Sequence, residues 1–109
     1  MEIIEKKADS FVILNLKGRL DTTNYGELEK KIFELLEKKE NNIIIDCEKL
    51  DYISSSGLRI LLMGLKKFKA NKGKFVLCDL QENIKEIFEI SGFSSIFDIY
   101  ESQDEALKA

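Results

Sequence analysis

The fold of this chain is decided by residues 43–62, which read IIIDCEKLDYISSSGLRILL. The apolar run at residues 43–47 predicts a buried strand, because a strand covered on both faces shows no polar alternation. A turn is predicted at residues 49–52, and three serines and Gly57 follow it. Apolar residues then recur at helical spacing, namely Leu58, Leu61, Leu62, Leu65 and Phe68. A buried strand that leads into an amphipathic helix is typical of a crossover unit in a parallel sheet.

The same alternation extends through the rest of the chain. Further strands are predicted at residues 11–16, 74–78 and 96–100. Helical spacing predicts a helix from Tyr25 to the Asn41-Asn42 pair and another that ends at Gly92. Asn24 with Glu27, and Ser102 with Glu105, have the spacing of capping boxes. We therefore expect one α/β domain over residues 1–109, with a mixed, mostly parallel sheet, an antiparallel first edge and about four α-helices.

Composition excludes several classes of function. The chain has 109 residues, a net charge of −3 and no histidine. A phosphohistidine carrier and any histidine-based catalytic triad are therefore excluded, and no cofactor or metal is expected. Zinc sites in proteins are built largely from histidine and paired cysteine, and here Cys47 and Cys78 lie far apart in apolar runs. Both cysteines are interpreted as buried structural thiols.

Charge and hydropathy also restrict the partners and the compartment. The acidic balance argues against a nucleic-acid partner. No apolar run is long enough to cross a bilayer, and residues 1–5 lack the basic start of a signal peptide. A cytoplasmic protein without membrane insertion is predicted. The one basic cluster is interpreted as a solvated helix end; it consists of Lys66, Lys67, Lys69, Lys72 and Lys74.

The serine cluster lies where an anion would be favoured. Ser54, Ser55 and Ser56 stand at the predicted amino terminus of the second long helix, where free backbone N–H groups and the helix dipole attract negative charge. A phosphate group suits that position. Helix capping is the simpler interpretation of these residues, because serine is a favoured N-cap and one of the three must fill that role.

Several separated motifs resemble those of STAS-domain anti-sigma factor antagonists. The stretch from Tyr52 to Leu62, with its Ser-Ser-Gly-Leu core, resembles the family signature. Upstream, Gly18-Arg19-Leu20-Asp21 is similar to the family's Gly-x-Leu/Ile-Asp. The remaining two matches are Ile44-Ile45-Asp46 and Ile90-Ser91-Gly92-Phe93. The matches occur in the family order and span nearly the whole chain.

The resemblance implies a phosphorylation switch rather than catalysis. In that family an anti-sigma factor that is also a serine kinase phosphorylates the serine two places before the glycine, which here is Ser55. The unphosphorylated antagonist binds the kinase and releases a sigma factor, and a serine phosphatase resets it. Many phosphorylated members carry Asp where this chain has Ser54. The implied partner-binding residues are Asp21, Thr22, Ser54, Ser55, Ser56, Gly57, Arg59 and Met63, and the expected state is a monomer or weak dimer.

The sequence argues against two other functions and leaves a third open. Ser55-x-Gly57 is half of a nucleophile elbow, but Ile53 occupies the first glycine position and no histidine can act as base. A phosphorelay receiver would need an acidic pair after the first strand, where Lys17-Gly18-Arg19 stands. A STAS subunit of a lipid-transport ATPase, or an unphosphorylated stress-signalling scaffold, remains an alternative with the same fold.

Overall fold

Five strands form a single mixed sheet in a computed structural model that describes all 109 residues. The sheet order follows the chain, β1-β2-β3-β4-β5, with β1 antiparallel to β2 and every other neighbouring pair parallel. The strands are β1 (Glu2–Ala8), β2 (Phe11–Leu20), β3 (Asn42–Ile53), β4 (Lys74–Cys78) and β5 (Ile99–Tyr100). The predicted α/β class and the mostly parallel sheet with one antiparallel edge are confirmed, but that edge is β1, which lies before the first predicted strand.

Four α-helices connect or follow the strands. They are α1 (Tyr25–Glu37), α2 (Ser55–Ala70), α3 (Glu82–Ile90) and α4 (Gln103–Ala106), and a short 3-10 helix lies at Phe93–Ser95. None of these helices combines the length and the apolar character that a membrane span requires.

The two faces of the sheet are covered differently. Side chains alternate between faces along each strand, so Val12, Ile45 and Leu77 pack with α1, α2 and α3 in a core of 22 buried residues. Ile13, Ile44 and Val76 face the other way and form a smaller cluster that includes Ala106 of α4. Apolar burial on both faces explains why these strands read as unbroken apolar runs.

Strand β3 is longer than its sequence predicts. Residues 49–52 were expected to turn, but β3 continues to Ile53 alongside β2. Leu50 and Ile53 are both buried, and a register shift between Gly18 and Arg19 leaves Asp51 without a partner in β2. The consequence for the site is that β2 and β3 end side by side, with Leu20 paired to Ile53.

Other boundaries also differ from the sequence prediction. The exposed, charged strand β1 was not identified from the sequence. Its residues, EIIEKKA, lack the alternation of apolar and polar side chains that indicates a strand. Helix α1 ends at Glu37, before the Asn41-Asn42 pair, and β5 is reduced to two residues. The Ser102 cap is confirmed, since the Ser102 hydroxyl accepts a hydrogen bond from the Glu105 backbone N–H at 3.2 Å.

Candidate functional site

Two loops meet where β2 and β3 end. The first, residues 21–24, leads from β2 into α1, and the second is the serine turn, residues 54–57, which leads from β3 into α2. The Ser54 backbone N–H donates to the Leu20 carbonyl at 2.9 Å, which ties the turn to the end of β2. The Thr22 and Ser56 hydroxyl oxygens lie 3.2 Å apart in a second link between the loops. Residues 34 positions apart in sequence therefore form one surface.

The first loop is organised around Asp21. Its Oδ1 accepts hydrogen bonds from the Thr23 backbone N–H at 2.9 Å and from the Thr23 hydroxyl at 2.6 Å. These bonds, with a further contribution from Arg19 at 3.5 Å, lower the pKa of the Asp21 carboxyl. Asp21 therefore presents a fixed negative charge beside the serine turn.

The predicted capping box at Asn24 is wrong. Asn24 is the N-cap residue of α1 by position, but its side chain makes no hydrogen bond to the helix. Its amide instead donates to the Arg19 carbonyl at 2.8 Å and accepts from the Asp21 backbone N–H at 2.9 Å. The asparagine closes the loop on itself, a local bond that competes with capping.

The three serines have three different environments. The Ser54 hydroxyl accepts a hydrogen bond from the Gly57 backbone N–H at 3.3 Å and caps α2. Ser56 is 8% exposed and its hydroxyl faces Thr22. Ser55 is exposed, and its hydroxyl makes no hydrogen bond within the chain. Of the three hydroxyls, only that of Ser55 is both accessible and free.

Gly57 allows the serine turn to pack closely. A Cβ atom at this position would lie 2.8 Å from Ile53 Cγ1 and 2.8 Å from Leu20 Cγ. Both neighbours are buried core side chains at the ends of the paired strands. The glycine therefore lets the first turn of α2 sit against the end of the sheet.

The remaining predicted site residues lie along α2. Arg59 is exposed, and Met63 is half-buried, packing partly against the core while also lining a surface hollow. The structure thus brings together Asp21, Thr22 and the serine turn, and places Arg59 and Met63 on the helix that follows.

Sequence reasoning missed one pair at this surface. The Arg19 guanidinium lies 4.2 Å from the centroid of the Tyr52 ring, an arrangement favoured by cation–π attraction. Arg19 and Tyr52 are cross-strand partners in β2 and β3. Both residues belong to the quoted motifs. Their contact depends on strand pairing at Tyr52, where the sequence predicted a turn, so it could not be foreseen.

Comparisons with known proteins identify the family. The STAS domain family matches residues 2–106. A candidate anti-sigma factor antagonist of Bordetella bronchiseptica, BtrV, is 38% identical over 109 residues, covering 100% of this chain and 94% of BtrV. A crystal structure of a candidate anti-sigma factor antagonist from Thermotoga maritima has a TM-score of 0.93 at 25% identity, covering 97% of this chain and 92% of that one.

A more distant structure shares the fold. The Bacillus cell-fate determinant SpoIIAA, in its phosphorylated form, has a TM-score of 0.78 at 21% identity, covering 98% of this chain and 97% of SpoIIAA. With the family match over nearly every residue, and with relatives of similar length named as anti-sigma factor antagonists, the family expected from the motifs is confirmed. The chain belongs to the STAS domain family.

Proposed function

We propose that this chain is an anti-sigma factor antagonist that is switched off by phosphorylation of Ser55. In the unphosphorylated state it binds a cytoplasmic anti-sigma factor that is a serine kinase, and so releases a sigma factor. A serine phosphatase restores the active state. The chain acts as a single binding domain over residues 1–109 and not as an enzyme.

The observation that carries this proposal is the free hydroxyl of Ser55. A kinase must reach the acceptor oxygen, and the neighbouring serines are already engaged by the Gly57 N–H and by Thr22. Ser55 is also the first residue of α2, where unpaired N–H groups and the helix dipole favour a phosphate. Accessibility and electrostatics favour the same serine.

Ser54 has a structural role that fits the family pattern. Phosphorylated anti-sigma factor antagonists often carry Asp at this position, and Asp and Ser are both strong N-cap residues. In this chain the Ser54 hydroxyl performs the cap. The exchange of Asp for Ser therefore preserves the start of α2 and leaves Ser55 in the same place.

The charge of a phosphate is sufficient for a switch. Each unit charge brought within about 5 Å of an acidic partner group costs about 3 kcal/mol at an effective dielectric constant of about 20. Shifting a complex from about 99% formed to about 1% formed requires about 5.5 kcal/mol. A phosphate of nearly two charges at a tight interface supplies a free energy of that size.

The proposed partner surface combines both loops and the start of α2. It consists of Asp21, Thr22, Ser54, Ser55, Ser56, Gly57, Arg59 and Met63. Asp21 in the first loop and Arg59 on α2 supply opposite charges to it, which supports a partner with complementary charges.

The test is phosphosite mapping with a serine kinase encoded beside the gene for this chain. After incubation with the kinase and ATP, mass spectrometry should find phosphate on Ser55 in the wild type, in Ser54→Ala and in Ser56→Ala. Ser55→Ala should stay unmodified and still bind the kinase, whereas Ser55→Asp should bind more weakly. Stoichiometric phosphate on Ser54 or Ser56 with Ser55 untouched contradicts the proposal. If Ser55→Asp binds like the wild type, the unphosphorylated scaffold or transporter function is favoured instead.

A further inference from the structure

Helix α2 is the most positively charged element of an acidic chain. Its sixteen residues include Arg59, Lys66, Lys67 and Lys69 and no Asp or Glu. The chain has seventeen basic residues, so thirteen remain elsewhere, against twenty acidic residues. The net charge is thus positive on α2 and negative on the rest of the chain.

Three of these cations border a shallow groove on the outer side of α2. The groove has a volume of about 480 Å³, and its lining is Arg59, Leu62, Met63, Lys66, Lys67 and Ala70. These positions follow helical spacing and therefore form a single stripe along α2. Leu62 and Met63 are half-buried and provide an apolar floor, while Arg59, Lys66 and Lys67 are exposed beside it.

The cations of the groove have no acidic partner within the chain. Lys7, Lys31 and Lys85 each form an ion pair with a glutamate, whereas Arg59, Lys66 and Lys67 form none. The Lys67 ammonium instead lies 5.9 Å from the ring centroid of Phe33, which is 40% exposed on α1. The apolar surface next to the groove therefore extends onto α1.

We propose that this groove binds an acidic amphipathic segment of a partner protein, with apolar side chains against Leu62 and Met63 and carboxylates beside the three cations. The stripe spans the twelve residues from Arg59 to Ala70, or about 17 Å along α2, which matches about three turns of a docked helix. A protein segment is favoured over a membrane or a nucleic acid because the positive patch is narrow and the rest of the chain carries a net negative charge. An extended anionic surface would be repelled by that surrounding charge.

The groove begins one helical turn after the phosphorylation site. Ser55 and Arg59 are four residues apart on α2 and so lie on the same side of the helix. A phosphate on Ser55 places negative charge beside Arg59 and competes with the carboxylates of the partner for that cation. This inference rests on the proposed function, because it gives the chemistry of the partner that Ser55 regulates.

The test is a titration of the isotope-labelled full chain, followed by NMR, with a synthetic amphipathic peptide of about three helical turns. The peptide carries Glu on one face and Leu on the other, and a second peptide has Gln in place of every Glu. The expected result is chemical-shift changes confined to the groove, caused by the Glu peptide and not by the Gln peptide. Lys66→Glu with Lys67→Glu should weaken binding about tenfold or more, because two attractions become repulsions.

The control and a lipid probe make the outcome decisive. Lys38→Glu with Lys39→Glu makes the same charge change at an exposed position after α1 and should change the affinity less than about twofold. Absence of shifts, equal binding of the two peptides, or equal loss in the control overturns the proposal. Binding of phosphatidylglycerol vesicles in place of the peptide also overturns it and assigns the groove to a membrane. The titration uses no kinase, so its failure overturns the groove proposal alone. Failure of phosphosite mapping with the kinase overturns the proposed phosphorylation of Ser55 instead.

Discussion

At the scale of single residues, the serine turn shows how neighbouring identical side chains acquire different roles. Ser54 caps α2, Ser56 is held against Thr22, and Ser55 is left free. The proposal that Ser55 is the phosphate acceptor therefore rests on which hydroxyls already have a hydrogen-bond partner.

A prediction at this scale concerns Gly57. Gly57→Ala should lower the free energy of unfolding by about 1–2 kcal/mol, because overpacking costs about 1–3 kcal/mol and the better helix propensity of alanine offsets up to about 1 kcal/mol. The added methyl group would meet Ile53 and Leu20 at 2.8 Å. Urea denaturation measures the change.

Gly26 provides the matched control within α1. Nothing lies within 4 Å of a Cβ atom built at this glycine, and it is exposed. Gly26→Ala should therefore stabilise the protein by about 0.5–1 kcal/mol. Equal stability changes of the two variants would show that the close packing at Gly57 has no energetic consequence.

At the scale of elements, α2 has distinct inner and outer sides and a well-defined beginning. Leu58, Leu61 and Leu65 on its inner side enter the main core, while the outer side carries the cationic groove. Two hydrogen bonds of Ser54 fix the start of the helix. Its hydroxyl accepts from the Gly57 N–H, and its own N–H donates to the Leu20 carbonyl. The helix can therefore present Ser55 without a change in fold.

The N-cap of α2 gives a prediction for this element. Ser54→Ala should lower the free energy of unfolding by about 1 kcal/mol, because the Gly57 N–H loses its acceptor. Ser55→Ala, which removes a hydroxyl without a partner, should change it by less than about 0.5 kcal/mol. Thermal melts followed by circular dichroism measure both. A larger loss for Ser55→Ala than for Ser54→Ala would mean that the cap is assigned to the wrong serine.

At the scale of the whole molecule, the carboxyl-terminal segment closes the second face of the sheet. Ala106 is fully buried against the smaller apolar cluster, and the Gln103 side chain donates to Asp46 Oδ2 at 2.7 Å. The Lys74 ammonium donates to the carbonyl of Ala109 at 2.7 Å.

The thiols of Cys47 and Cys78 are both buried, which confirms their interpretation as buried structural cysteines. Burial raises the pKa of both thiols.

Docking of this segment can be tested with a buried charge. Ala106→Glu should lower the free energy of unfolding by about 1–3 kcal/mol and expose the second face, because a carboxylate cannot be buried there without a partner. A rise in fluorescence of a hydrophobic dye measures the exposure. Lys108→Glu, at an exposed position of the same segment, is the control and should change stability by less than about 0.5 kcal/mol. Identical behaviour of the two variants would show that α4 does not cover the sheet.

The α/β class, the order of the main elements and the position of the serine cluster before α2 could all be predicted from the sequence. These features depend on apolar periodicity and on local turn and cap chemistry, which are readable within a few residues. Strand β1 was missed because its charged residues show no such period, and the length of β3 was missed because its pairing with β2 overrides a polar stretch.

The tertiary structure alone decided which serine is free and where the helix charges are unpaired. Thr22 engages Ser56 from 34 residues away, so no local pattern could separate Ser56 from Ser55. The Asn24 side chain likewise does not cap α1. It bonds instead to the backbone of Arg19 and Asp21, which the loop brings close to it. The lysines of α2 read as an ordinary solvated helix end in sequence. The fold forms the groove by placing Lys66 and Lys67 with Arg59 beside the half-buried Leu62 and Met63, and none of these three cations forms an ion pair.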